Sequence, residues 1–446
     1  MPYQGGKNLP SEKASKLGHL DVLKSPLVQK LVESFEQPSK DEENDEVSWQ
    51  PFPSAEQPLD IIFSVDGSLQ IIQDEAPPYK ALAFIKTALL RLDQVALNRI
   101  DKESPHPFEL RDLMADSALY HATVFPLRHV KVPGLSVYHA VRQIIYESLK
   151  DASLNAEPIE TLKWLAYEKW SGKTKSLPPF QCPHCENNTA TLPYDAEKGN
   201  CPTCGEEIFI SDMLGFHLEM AEEAARDSVV SAYMNIHEIL LLFTGIRHFW
   251  ETNRQTLRRC LFLKDGPLQL RAHYSKLVAP IRRFFLHAFE QNVPIYLIGQ
   301  EKTGTFVDYL NLIGRDAPAD HLFIPNHEYI CEEIQHRSAN TAYLYGQDTN
   351  YGAKTFVTIG ERYRFVLSIP VSCEMKDFVS NPDLNKVIGL NRILHTLPNI
   401  LSSKHENGLL PIELANAVAS LSTYPSAQML KLFAESSISK NSLPST

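Results

Sequence analysis

The chain has 446 residues, 43% apolar and 22% charged, and a formal net charge of −11. That length allows one large domain with insertions, or two or three smaller ones. The acidic balance argues against a protein that coats nucleic acid non-specifically, but not against a nucleic-acid enzyme with a local basic channel and an acidic, metal-holding centre.

The N-terminus, MPYQGGKNLPSEKASKLGHL, has no apolar h-region. The longest aliphatic or aromatic run, ILLLF at 239–243, is far short of a membrane span. A cytoplasmic protein with no membrane contact is expected. Residues 11–36 carry helical periodicity in Leu17, Leu20, Leu23, Leu27, Leu31 and Phe35. The acidic stretch QPSKDEENDEV (37–47) then reads as a linker, and 1–50 together as an assembly element.

From Leu59 to about Leu97 the pattern suits a β-meander, with turns at Gly67 and at Pro77-Pro78. Its last segment, YKALAFIKTALLRLD, is also compatible with a helix. An amphipathic helix is expected over 135–151, and helical character continues through TLKWLAYEKW until SGKTKSLPPF breaks it. Further on, the sequence predicts a long helix over 213–243, a strand at 260–265, a helix near 275–291 and a strand at 293–300. A β-rich stretch at 321–370 and a closing helix, LPIELANAVASLS, complete the pattern. The mix is α/β.

Cys182, Cys185, Cys201 and Cys204 form two C-x2-C knuckles. Four soft thiolates at that spacing suit a tetrahedral, structural Zn²⁺; an iron centre is the main competitor. Four thiolates close the coordination shell, so this metal is not expected to be catalytic. Cys260, Cys331 and Cys373 lie in apolar surroundings and read as buried thiols. Basic residues cluster at Arg254, Arg258, Arg259 and Lys264, where a solvated helix face is the plain reading.

Twice an apolar strand runs into Asp-Gly, in DIIFSVDGSL at Asp66 and in CLFLKDGPL at Asp265. Each alone reads as a hairpin turn. Together they are what a ribonuclease-H-like phosphodiesterase requires, since two strand-borne carboxylates hold Mg²⁺ or Mn²⁺ ions that activate water and stabilise the leaving oxygen. VDGSL, MNIHEILLLF, FLKDGPL, YLIGQEKTGTFVDYL and YGAKTFV, in that order, resemble the signature blocks of the NurA family of DNA-end-processing nucleases. The resemblance covers most of 55–425 and includes the ribbon as an insertion found in some members.

The resemblance implies a ribonuclease-H-like core with a mixed sheet, flanking helices and an inserted zinc ribbon. It places the nuclease domain over 51–170 and 213–430, the ribbon at 171–212 and a tail at 431–446. It implies Asp66, Glu238 and Asp265 as catalytic metal ligands, with Glu219, Glu222 and Glu223 in reserve. Lys302 matches a strand-end lysine suited to a phosphate, and Tyr351 and Lys354 match a further substrate-binding block. Where family members carry His or Asp near the C-terminus, this chain has Asn416, which can still serve as a metal ligand through its carbonyl but brings no charge, with Glu413 and His405 as local substitutes. The implied protein is a Mn²⁺- or Mg²⁺-dependent deoxyribonuclease. It would be a homodimer working with a hexameric HerA-type ATPase on DNA ends, in repair or phage defence. That motor is not in this chain, which has no G-x4-G-K-[ST] loop. The rivals are an inactive NurA-like subunit that regulates the ATPase, and another ribonuclease-H-like strand transferase.

Overall fold

Apolar residues are the majority in 61–73 and in 81–93, and both segments are strands in the computed structural model. It describes residues 22–34, 47–93 except 75, 76 and 78, 118–421 except 131, and 426–440. The chain divides into two compact units, Met1–Ser48 and Trp49–Thr446.

In the first unit a helix covers Pro26–Glu33, capped by Ser25, whose hydroxyl accepts from the Val28 amide. Within it and just before it, Leu23, Leu27 and Leu31 are exposed. Leu17, Leu20, Phe35 and nearly all of the acidic linker lie outside the described residues.

The second unit is built on a mixed sheet. β1 (Ile61–Gln73), β2 (Ala81–Asp93) and β3 (Ala118–Arg128) form an antiparallel meander. β4 (Cys260–Asp265) then pairs parallel to β1, and β5 (Tyr296–Glu301) parallel to β4. The order β3-β2-β1-β4-β5, with those directions, is the ribonuclease-H-like arrangement. Beyond β5 the sheet continues antiparallel through β7 (Tyr363–Ile369) and β6 (Ala353–Ile359).

Ile61, Phe63 and Val65 face one layer of helices, and Ile62 and Ser64 face the other, because side chains alternate along a strand. The first layer holds α1 (Val137–Leu149), α2 (Glu157–Ala166), α3 (Asp227–Thr252) and α4 (Val278–Glu290). The second includes α5 (Leu410–Ala419). α3 is long and apolar enough to cross a membrane, but most of its apolar stretch is buried in this core, as expected of a helix apolar on nearly every side.

Several expectations need correction. The Asp66-Gly67 step is not a turn: β1 runs straight through it, with Gly67 paired to Thr87. Only Asp265 ends its strand, before Gly266 at φ +82°. The long helix begins at Asp227 rather than 213. Residues 210–219 form 3-10 turns, and 220–225 a small hairpin on the β3 edge. Gly215, left-handed and packed against the His273 carbonyl, stops any continuous helix there. A further helix, α6 (Ser426–Lys440), follows the predicted closing one.

Candidate active site

Val65 of β1 pairs with Lys264 of β4, so the next step along both strands sets Asp66 beside Asp265 on one face. Neighbouring strands lie about 4.8 Å apart, which brings two carboxylates from positions 199 apart in sequence to one place. Asp265 in turn pairs with Gln300 of β5. Just past that strand, Lys302 Nζ sits 3.1 Å from Asp265 Oδ1.

Asp66 is 4% exposed. Its Oδ1 accepts from the Gly67 amide at 2.7 Å, and the side chain of Asn416, on α5, hydrogen-bonds the carboxylate. Oδ2 is buried with no partner. Burial, then the charges of Asp265 and Glu238, push the Asp66 carboxyl up to about 7. A buried, unpartnered carboxylate oxygen beside a second strand-borne carboxylate is a chemistry that a divalent cation satisfies, so the residues fit Mn²⁺ or Mg²⁺.

Glu238 comes from α3, on the opposite face of the sheet. Its Oε2 lies 3.0 Å from Lys264 Nζ, and both residues are buried. Burial raises the Glu238 pKa while Lys264 opposes the rise. A Cβ on Gly67 would come within 2.5 Å of Glu238 Oε1 and 2.6 Å of Met234 Cγ. Gly67→Ala is therefore expected to displace the glutamate and destabilise the fold by about 1–3 kcal/mol. Chemical denaturation checks this, and an unchanged midpoint would show that the helix yields freely.

Of the two residues expected to meet substrate beyond Lys302, neither offers a surface. Tyr351 is buried beside Glu238 with its hydroxyl unpartnered. Lys354 is 4% exposed, paired with Glu301 and lying over the Phe306 ring, and burial pulls its ammonium down to about 7 against that pairing. Glu219 instead accepts from Ser228, and Glu222 and Glu223 sit exposed on the small hairpin. His405 is exposed on a loop, and Glu413 packs beneath Gly408. Lys264 lies buried in a strand beside Glu238, not on a solvated helix face. Its signal was a single lysine inside the apolar run CLFLKD.

The pH response follows from the Asp66 shift. The folded value of about 7 lies above the unfolded value of about 3.9, so the metal-free fold binds this proton more tightly. The resulting stability is fully present below about pH 4 and is lost as pH rises through about 7. The melting temperature in EDTA should therefore fall across that window relative to Asp66→Asn, and Mn²⁺, which favours the ionised carboxylate, should cancel or reverse the fall in the wild type. Parallel curves for the two proteins in EDTA would contradict the shift.

The four ribbon thiols are also together. Their sulfurs lie within 4.8 Å of one another, with Cys182–Cys204 at 3.8 Å and Cys185–Cys201 at 3.9 Å. A tetrahedron with Zn–S of about 2.3 Å has edges of about 3.8 Å, so the donors fit zinc. Among the described residues, no other group of three or more His, Cys, Asp or Glu ligand atoms comes so close. The ribbon is bound tightly to the body. Arg142 of α1 reaches Asp212 with two bonds, at 2.7 and 2.8 Å, and the Glu207 carbonyl at 2.6 Å. Phe180, Cys182, Ala190, Leu192, Cys201 and Ile208 share one apolar cluster with β1 and α3.

No family model and no curated protein sequence matches the chain. Solved structures of NurA nucleases are similar in outline. The NurA nuclease from Sulfolobus solfataricus aligns over 97% of this chain and 100% of its own, at 9% identity and a TM-score of 0.33. A second NurA structure aligns over 97% and 98%, at 11% identity and a TM-score of 0.31. Overlaps of that size carry no weight for function; the fold assignment stands on strand order and direction.

Proposed function

We propose that this chain is a divalent-metal-dependent deoxyribonuclease that hydrolyses phosphodiester bonds at DNA ends. The observation that carries the reading is the pair Asp66 and Asp265 on adjacent parallel strands of a ribonuclease-H-like sheet, with one Asp66 oxygen buried and unpartnered. Asp66 and Asp265 would hold the ion, with Glu238 behind them and Asn416 orienting Asp66. A bound Mn²⁺ or Mg²⁺ would supply an activated water and charge neutralisation at the phosphate.

Lys302 carries the cation at the mouth of the site. Its side chain is 31% exposed, so it is free to turn from Asp265 to a phosphate oxygen. Asn416 fixes Asp66 through a hydrogen bond but brings no charge, so the centre has one fewer anion than a carboxylate there would give. The sequence blocks shared with NurA support a homodimer in the cytoplasm that receives DNA from a hexameric HerA-type ATPase, in end resection or phage defence. The exposed Leu23, Leu27 and Leu31 make the N-terminal helix the proposed assembly element. A cleavage assay on linear DNA, with Mn²⁺, Mg²⁺ or EDTA and with or without the ATPase, tests the function. Cleavage that needs the ion is expected; cleavage undiminished in EDTA would exclude it.

A further inference from the structure

Lys264 is a lysine where the sheet has no need of one. It is 3% exposed, on the central strand, with apolar residues before it. Its ammonium donates to the Asp265 carbonyl at 2.7 Å and lies 3.0 Å from Glu238 Oε2. The other Glu238 oxygen points at the Cα of Gly67, where any side chain would collide. Oε2 is thus held by Lys264 and Oε1 packs against Gly67, both on the α3 side of the sheet. Asp66 and Asp265 project to the other side, toward α5 and Asn416.

From this arrangement we infer that Lys264 is a fixed internal cation that takes up the Glu238 charge, so that the protein without DNA binds one divalent ion, held by Asp66 and Asp265. The inference rests on the metal-dependent reading above and narrows it. Charge arithmetic is the reason. Asp66, Asp265 and Glu238 bring three negative charges, and Lys264 cancels one of them at contact distance in a buried setting where that attraction is strong. Lys302 also pairs with Asp265, but from a part-exposed position that leaves it free to turn away when an ion arrives. The remaining two match one divalent ion. A second ion would meet a neutral Glu238–Lys264 pair and would have to break it. The same ammonium ties down the Asp265 backbone, so Lys264 acts as a positioning residue and not as a group that touches substrate.

The test is Mn²⁺ titration of zinc-loaded, full-length protein without DNA, read by paramagnetic resonance of the free ion. One Mn²⁺ per wild-type chain is expected. Glu238→Gln should weaken binding by less than about threefold, whereas Asp66→Asn should weaken it by about thirtyfold or more. Lys264→Met frees the glutamate and should tighten Mn²⁺ binding by about tenfold or add a second ion, a gain that loss of packing does not produce. If Lys264→Met does not fold, the wild-type stoichiometry and the Glu238→Gln comparison still decide. Two ions per wild-type chain, or a Glu238→Gln loss equal to that of Asp66→Asn, would overturn the inference. No Mn²⁺ bound by the wild type would remove the metal-dependent reading, and this inference with it.

Discussion

Asp66→Asn or Asp265→Asn should reduce DNA cleavage by about a thousandfold or more, equivalent to roughly 4 kcal/mol of barrier. Asparagine keeps the size and one oxygen of the side chain but removes the charge that holds a divalent ion. The two variants should differ in stability. In metal-free protein Asp66 is the buried, strained acid, and its replacement relieves repulsion from Asp265 and Glu238. Asp265 is more open and already paired with Lys302, so its replacement gains little. DNA binding should survive in both variants, or tighten, because an acid facing phosphate has been neutralised. Cleavage and binding measured side by side on folded variants check this. Wild-type cleavage by Asp66→Asn would reduce the strand-borne acid to a structural residue.

Cys182→Ser, or stripping the metal, should lower the melting temperature by about 10 °C or more. Without its ion the ribbon's own structure is two short strands, Lys198–Asn200 and Glu207–Phe209, too small to be stable alone. The damage should not stay local. Cys182 and Cys201 pack in the same apolar cluster as Val65 and Leu240, and Arg142 would lose the orientation of Asp212. Hydrogen exchange should rise across 177–212 and also in α1. Metal analysis showing no zinc in carefully purified protein would remove the prediction, and protection confined to its wild-type pattern in Cys182→Ser would contradict the coupling.

The parts of the fold that local chemistry dictates were legible. The knuckle spacing gave the four thiols, and the apolar runs gave β1, β4 and β5. What the sequence hid depends on partners far along the chain. Asp66-Gly67 looks like a turn because both residues favour one, yet β2 pairs along the whole length of β1 and keeps the strand straight. Gly67 is there to make room for Glu238, a reason invisible without α3 in place. Lys264 sat among arginines that do reach solvent, and only strand pairing turns it inward. The segment expected to be a helix from 213 is buried at its start but broken by left-handed Gly215, then turns polar and exposed over 221–223, so the long helix starts only at Asp227. Tyr351 and Lys354 matched a substrate-binding block, but their burial places them in the core beneath the site.

The central claim is that Asp66 and Asp265 together hold a divalent ion. Crystals of the wild-type protein grown with Mn²⁺ would test it directly through anomalous scattering at the manganese edge. A peak is expected beside the Asp66 and Asp265 carboxylates, on the α5 side of the sheet, and none in Asp66→Asn crystals treated alike. No peak there at saturating Mn²⁺, or the same peak retained in Asp66→Asn, would contradict it.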